Sequence, residues 1–348
     1  MWSNTSVMST ERHNGAQAFL LSQELTLAIY VAFRQALIPC VSIVGIVGNV
    51  ASIVILTRRG FRKCSNILLL ALSISDVLFL TGLNNIFMFI YDQGNPSVFM
   101  ISYNINYLFY ILYMVLLCFR HMGLQTVMIL PSLITAERVL AIFIPLKVYI
   151  ILTRRRSLIV VLCLYIVNGI HFLYVYILCI QFKQFAVKGG SYIGVFLTTE
   201  IYLQDIRSGL YQLIHNITNY MTGIIQICLV TVGCVVIGLR VIVITNRRKQ
   251  LVSNQVKLPA KTLISKTTKT LLSICILFIL CSGSTFVVAF IANTPPIDKD
   301  FAMQKVLVCV QDLIICVNCV GDFVIYIGGR KSSRKTVTSW CRISNHKG

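Results

Sequence analysis

The chain has 348 residues, of which 57% are hydrophobic and only 12% are charged. Soluble globular domains carry about twice that share of charged residues, so the composition excludes an ordinary soluble protein. The formal net charge of +20 would suit a protein that binds nucleic acid. The basic residues, however, are concentrated in a few connections between apolar runs, and we expect no nucleic-acid partner.

Apolar runs long enough to cross a bilayer recur along the chain. A helix needs about 20 mostly apolar residues to span the hydrocarbon layer. The runs predict seven transmembrane helices, at residues 36–57, 67–91, 106–136, 157–181, 217–241, 270–292 and 305–328. We therefore expect an all-α membrane protein, a seven-transmembrane helix bundle. Its expected parts are an extracellular N-terminal segment at 1–35, the membrane domain at 36–328 and a basic cytoplasmic tail at 329–348.

The placement of positive charge predicts the orientation of this bundle. The first connection, the third connection after Arg138, the fifth connection with the end of the helix before it, and the tail together hold 22 of the 31 Lys and Arg residues and no Asp or Glu. Lys and Arg are retained on the cytoplasmic side, so the C-terminus is expected in the cytoplasm and the N-terminus outside. These basic segments are also expected to attract anionic membrane lipid. The sequons at Asn4 and Asn216 then fall on the outer face, where glycosylation occurs.

Few ionisable side chains interrupt the predicted spans. A charged side chain inside a membrane span costs several kcal/mol unless it faces a partner or water. Each such residue therefore indicates a candidate functional position. Asp76 lies in the second span and Arg120 in the third, where Glu137 and Arg138 form the cytoplasmic boundary; Asp312 and Asp322 lie in the seventh.

Five motifs resemble those of the rhodopsin-like (class A) G protein-coupled receptors, in the same order and in the corresponding spans. The resemblance covers nearly the whole chain. The motifs are Gly48-Asn49, Leu72-Ser73-Ile74-Ser75-Asp76, Glu137-Arg138-Val139, Pro145-Leu146 and Asp322-Phe323-Val324-Ile325-Tyr326, the last with the family's proline replaced.

The resemblance implies roles for these residues. Arg138 would meet a heterotrimeric G protein on activation, with Glu137 as its resting partner, although the pair could also be an ordinary interfacial one. Asp322 and Tyr326 belong to the same activation machinery. A polar core is expected from four residues, Asn49, Asp76, Asn318 and Asp322. Its alternative role is only to hold the helices together.

A ligand pocket is expected around Arg120. This residue precedes Arg138 by about 27 Å of helix rise, and His121 and Gln125 lie near it on the same span. By the resemblance, Asp312 lies at the same height. Two hypotheses stay open at this point: Arg120 binds an anionic group of a ligand, or it pairs with Asp312 and joins two helices.

The chain departs from the family at several positions. Tyr113 stands where a disulfide cysteine is usual, and the second outer connection, 181–213, has no cysteine. Val127 stands where a hydroxyl usually helps to hold sodium, and no cofactor or metal is expected. The tryptophan motif of the sixth span reads Cys281-Ser282-Gly283-Ser284. Three histidines, at 121, 171 and 215, are expected to lie apart.

The sequence favours a receptor in the plasma membrane. The expected ligand is an extracellular small molecule or peptide, and the general appearance is similar to molluscan-type chemosensory receptors. The alternative within the class is an FMRFamide-like neuropeptide receptor. A transporter or channel is less favoured because repeated halves and broken helices do not stand out, and no set of nucleophile, base and orienting residue suggests an enzyme.

Overall fold

The computed structural model describes residues 22–60, 64–87, 102–187, 191–252, 266–295, 297 and 300–328. Two of the expected features fall elsewhere. Residues 1–21, with the sequon at Asn4, and the tail at 329–348 lie outside the described residues.

Helices make up nearly all of the described chain. In order, the elements are α1 (Gln23–Ala32), α2 (Ile38–Arg59), α3 (Cys64–Leu83), α4 (Tyr103–Phe143), α5 (Val148–Ile151), α6 (Arg154–Phe172), β1 (Ile180–Val187), β2 (Ser191–Thr198), α7 (Glu200–Ser208), α8 (Leu210–Thr222), α9 (Ile224–Val252), α10 (Lys266–Ala292) and α11 (Phe301–Gly328). Two π-helical turns, Phe33–Leu37 and Leu173–Leu178, follow α1 and α6.

Seven helical segments are long and apolar enough to cross a membrane, which confirms the predicted number of spans. From the first to the seventh they are Glu24–Arg58, Cys64–Leu83, Tyr103–Phe143, Arg154–Leu178, Leu210–Ile244, Thr270–Ala292 and Ala302–Gly328. The chain is therefore a multi-pass membrane protein with a helical bundle.

The first span begins well before the predicted boundary at residue 36. Ser22 caps α1, because its hydroxyl accepts a hydrogen bond from the amide of Leu25 at 3.3 Å. The π-helical turn Phe33–Leu37 then joins α1 to α2 without a break. Arg34 and Gln35 interrupt the apolar run in the sequence, and the structure carries both inside the span.

A β-hairpin follows the fourth span, where the sequence analysis predicted no strand. Strands β1 and β2 pair antiparallel, from Ile180 opposite Thr198 to Val187 opposite Ser191. Phe182 stacks on Tyr110 of the third span, with ring centroids 4.5 Å apart and planes 5° apart. The hairpin thereby sits on the beginning of the third span. We call this the hairpin end of the bundle, and the opposite end, near Glu137, the far end.

The second and third spans pack backbone to backbone. A Cβ atom on Gly82 would overlap the main chain of Leu116 and Arg120, and one on Gly123 would overlap the main chain of Ser75 and Phe79. Both positions therefore require glycine. This close contact fixes the height of Arg120 relative to the second span.

Candidate functional site

An ion pair joins the third and seventh spans toward the hairpin end. Nη2 of Arg120 donates to both carboxylate oxygens of Asp312, at 2.9 and 3.0 Å. The side chains are 19% and 8% exposed. Of the two hypotheses left open for Arg120, the structure shows the pair with Asp312.

A second arginine, which the sequence analysis missed, reaches the same carboxylate. Nη1 of Arg34 lies 3.7 Å from Oδ2 of Asp312, and its side chain is 10% exposed. Nζ of Lys305 lies nearby, 5.8 Å from the centre of the Tyr30 ring. We call Arg34, Arg120, Lys305 and Asp312 the ion cluster. The Cys309 thiol is within electrostatic range of all four charged groups.

The position of Arg34 follows from the π-helical turn. This residue lies within Phe33–Leu37, whose wider turn changes the direction in which its side chains point. The sequence did contain a signal for Arg34, because this residue is an isolated charge between apolar runs. Starting the predicted span at residue 36 placed this charge outside the membrane.

The histidines of the third and fourth spans do not lie apart as expected. Nδ1 of His171 and Nε2 of His121 are 3.0 Å apart and share a hydrogen bond. Nε2 of His171 also lies 3.3 Å from the Thr218 hydroxyl. The expectation that these histidines are separate is therefore wrong, because the third and fourth spans cross where both rings point inward. His215 instead lies beside Asn219, at 3.0 Å.

Gln125 does not join the ion cluster. It lies five residues after Arg120 on one helix, which turns its side chain by about 140° from that of Arg120. Its amide oxygen is buried and accepts no hydrogen bond from a described residue. A role for Gln125 in ligand binding stays a prediction.

Two buried carboxyl groups lie in the middle of the bundle. Asp76 is 0% exposed and Asp322 4%, and neither receives a hydrogen bond from a nitrogen or oxygen of the described residues. The two groups are within electrostatic range of each other, and the Cys319 thiol neighbours Asp76. Two buried carboxyl groups are costly if both are ionised. Water, a bound cation or a proton on one of them would reduce that cost.

The amides of the expected polar core lie on the first and seventh spans. Nδ2 of Asn49 donates to the carbonyl oxygens of Gly45 and Cys319, at 3.1 and 3.0 Å, and so joins the first span to the seventh. The oxygen of Asn318 is buried and accepts no hydrogen bond from a described residue. Val127, which stands where a hydroxyl is usual, is buried. In the described part of the chain, no group of three or more His, Cys, Asp and Glu residues is arranged to hold a metal ion.

A small cavity of about 10 Å³, room for about one water molecule, lies among the third, sixth and seventh spans. Ser282 lines it at the position where the resemblance would place tryptophan. The full lining is Met128, Phe278, Cys281, Ser282, Thr285, Ile315 and Asn318.

The far end holds a compact charged network. The Ser65 hydroxyl donates to Oε1 of Glu137 at 2.6 Å, and Nη2 of Arg138 donates to that hydroxyl and to the same carboxylate oxygen, the latter at 3.4 Å. We call these three residues the far-end network. Ser65 was not predicted, since a serine at a helix start carries no distinctive signal. Tyr326 is buried on the seventh span.

The second sequon lies within a helix. Asn216 is exposed on α8, and its side-chain oxygen accepts a hydrogen bond from Nε2 of Gln212 at 3.0 Å. The sequon threonine, Thr218, is the residue that faces His171. Glycosylation of Asn216 stays a prediction. Tyr113, which stands where a disulfide cysteine is usual, is buried, and the twelve cysteines of the described chain are free thiols.

The site therefore has three parts along the bundle: the ion cluster at the hairpin end, buried carboxyls in the middle and a charged network at the far end. The ion cluster can bind an ion or a ligand, and the buried carboxyls can hold protons or water. The far-end network can present a guanidinium. No model of a known protein family matches the chain, and no curated protein matches it.

Proposed function

We propose that the chain is a rhodopsin-like G protein-coupled receptor of the plasma membrane. An extracellular ligand binds at the hairpin end, and a heterotrimeric G protein binds at the far end in the cytoplasm. The ligand favours one of two helix arrangements, and the favoured one admits the G protein. We place the chain among chemosensory receptors, with an FMRFamide-like neuropeptide receptor as the alternative.

The observation that carries this proposal is the far-end network. Arg138 is held by Glu137 and Ser65 rather than extended into water. A guanidinium held by one carboxylate can be released by a small rearrangement of the second and third spans. In this state the network holds the arginine, and release would present it to a partner.

Charge distribution supports the proposed orientation. The connections and tail that carry most of the Lys and Arg residues adjoin the far end of the spans. A cytoplasmic far end accounts for this asymmetry. It also places the hairpin and the ion cluster on the side that extracellular ligands reach.

Basal signalling tests the proposal without knowledge of the ligand. In cells that carry a promiscuous G protein, Glu137→Gln and Ser65→Ala should raise ligand-independent signalling, because both loosen Arg138. Arg138→Ala should abolish it. Arg155→Ala, a change at an exposed arginine near the same end, is the matched control and should signal like the parent.

Two outcomes would contradict the proposal. One is basal signalling that is the same in the parent, Glu137→Gln and Arg138→Ala at equal surface expression. The other is a C-terminal tag that antibody reaches on intact cells, which would reverse the orientation. A screen of amino acids, small carboxylates and amidated peptides on the same cells separates the chemosensory role from the neuropeptide role.

A further inference from the structure

Two cysteines of the fifth and sixth spans meet inside the bundle. Cys234 and Cys275 are both free thiols, and their side chains are hydrogen-bonded to each other. Cys234 is half-buried, whereas Cys275 is only 2% exposed. The fifth and sixth spans pack against each other, so the contact joins two neighbouring helices. We call these two residues the thiol pair.

Thr135 of the third span positions the thiol pair. Its hydroxyl lies 3.1 Å from Sγ of Cys275 and donates its one hydrogen to the carbonyl oxygen of Pro131 at 2.7 Å. The Cys275 thiol therefore donates to Thr135, which leaves the Cys275 sulfur free to accept from Cys234. On the fifth span, a Cβ atom on Gly233 would overlap Cγ2 of Thr135. The main chain beside Cys234 thus touches the same threonine.

The surroundings of the thiol pair admit a small neutral oxidant more readily than a charged reductant. Both cysteines lie within membrane spans, Leu210–Ile244 and Thr270–Ala292. Hydrogen peroxide is uncharged, whereas the charges of glutathione are costly in hydrocarbon. Because Cys234 is the more exposed of the two thiols, it meets the oxidant first. Cys275 is the neighbouring thiol that can then react with it.

We propose that the thiol pair is a peroxide-sensitive site that closes to a disulfide between the fifth and sixth spans. The Cys234 sulfur attacks hydrogen peroxide, the O–O bond breaks, and a sulfenic acid and one water are formed. The Cys275 sulfur then attacks the sulfenic sulfur, so that the S–S bond forms and a second water leaves. In total the two thiols lose two hydrogens and two electrons, and the peroxide takes up both.

The disulfide fixes the helix arrangement of this structure close to the far-end network. Thr135, which touches both spans of the thiol pair, lies two residues before Glu137. A covalent bond between the fifth and sixth spans therefore opposes a rearrangement beside Arg138. This effect on signalling rests on the proposed receptor function, whereas formation of the bond does not.

Peroxide treatment of the purified full chain in detergent tests the proposal. Non-reducing digestion and mass spectrometry should identify a peptide pair linked through Cys234 and Cys275, which dithiothreitol should separate. The link should raise the unfolding temperature by roughly 5 °C, because a cross-link restricts the unfolded chain.

Three serine variants supply the controls. Cys275→Ser should show neither the link nor the rise in unfolding temperature. Cys234→Ser, at the half-buried position, should give the same result and replaces Cys275→Ser if that variant does not fold. Cys163→Ser removes an exposed thiol of the fourth span and should behave like the parent. The proposal is overturned if both thiols stay reduced, if Cys234 is oxidised to a sulfinic acid without a link to Cys275, or if links between other cysteines are equally abundant.

Signalling supplies a separate measurement in cells that carry a promiscuous G protein. Peroxide should lower the raised basal signalling of Glu137→Gln toward the parent level, and it should not do so when Cys275→Ser is added. Signalling that is unchanged by the link would refute its regulatory effect. A chain that forms the link but never signals would refute the receptor function alone. A chain that signals but never forms the link would refute only the inference about the thiol pair.

Discussion

The contact between the second and third spans gives the sharpest prediction about stability. A Cβ atom placed on Gly82 would lie 2.7 Å from Cα of Arg120, and one on Gly123 would lie 2.7 Å from Cα of Phe79. Main-chain atoms of a packed helix, unlike the end of a long side chain, do not move aside singly. Gly82→Ala and Gly123→Ala should therefore force the two helices apart.

The magnitude follows from the geometry. Carbon atoms pack at about 3.5–4.0 Å, so the helix axes must separate by about 1 Å, which weakens the dispersion contacts along the interface. Overpacking costs about 1–3 kcal/mol. Alanine in place of a helical glycine by itself stabilises the helix by about 0.5–1 kcal/mol, which offsets part of this cost. We expect each substitution to destabilise the chain by about 1–2 kcal/mol. The double variant should lose less than the sum, because one separation relieves both overlaps.

Unfolding temperature in one detergent is the assay, and Gly283→Ala is the matched control. A Cβ atom on Gly283 meets no described atom within 4 Å, so this variant should be as stable as the parent or slightly more so. The reasoning is refuted if Gly82→Ala and Gly123→Ala unfold at or above the temperature of Gly283→Ala.

Three further predictions concern the two ends of the bundle. Ser65→Ala removes a hydrogen bond to a carboxylate and should lower the free energy of unfolding by about 1.5–3 kcal/mol. Ser284→Ala removes an exposed hydrogen bond within one helix and should lower it little. Chemical denaturation of the two variants measures the difference. Phe182→Ala should speed amide hydrogen exchange in the hairpin, because its stacking on the third span is lost, and the exposed Phe185→Ala should not. Burial raises the pKa of the Cys179 thiol above its ordinary value, so less thiolate is present near pH 8. Iodoacetamide should then label Cys179 far more slowly in the folded chain than in denaturant, as read by mass spectrometry, and equal rates would contradict its burial.

Much of the fold could be predicted because membrane spans are encoded locally. Length and apolarity alone located seven segments, and the structure has all seven. The boundaries were harder where a polar residue interrupts the run. Arg34 and Gln35 made the predicted first span start too late, at residue 36, although a guanidinium with a carboxylate partner is tolerated inside the bundle. The hairpin at Ile180–Thr198 was missed because its pairing depends on the third span beneath it.

In the candidate site, too, some residues could be predicted from the sequence, whereas others depend on how the helices pack. The resemblance to the receptor family placed Arg120 and Asp312 at one height, and the two side chains meet. His121 and His171 could not be matched that way, since the rotation of the fourth span relative to the third is set by packing rather than by sequence pattern. Ser65 could not be predicted from the sequence, because its role depends on a single hydrogen bond to Glu137 between two helices.

The wide turn at Phe33–Leu37 amounts to one extra residue accommodated within a continuous helix. Deleting one residue there would restore regular α-helical geometry without rotating what precedes it, because the wide turn absorbs the extra residue. Tyr30 would keep its place near Lys305, whereas Arg34, inside the turn, would lose the direction that brings it to Asp312. A chain shorter by one residue at this point would therefore keep the rest of the bundle and lose one of the two guanidinium groups beside that carboxylate.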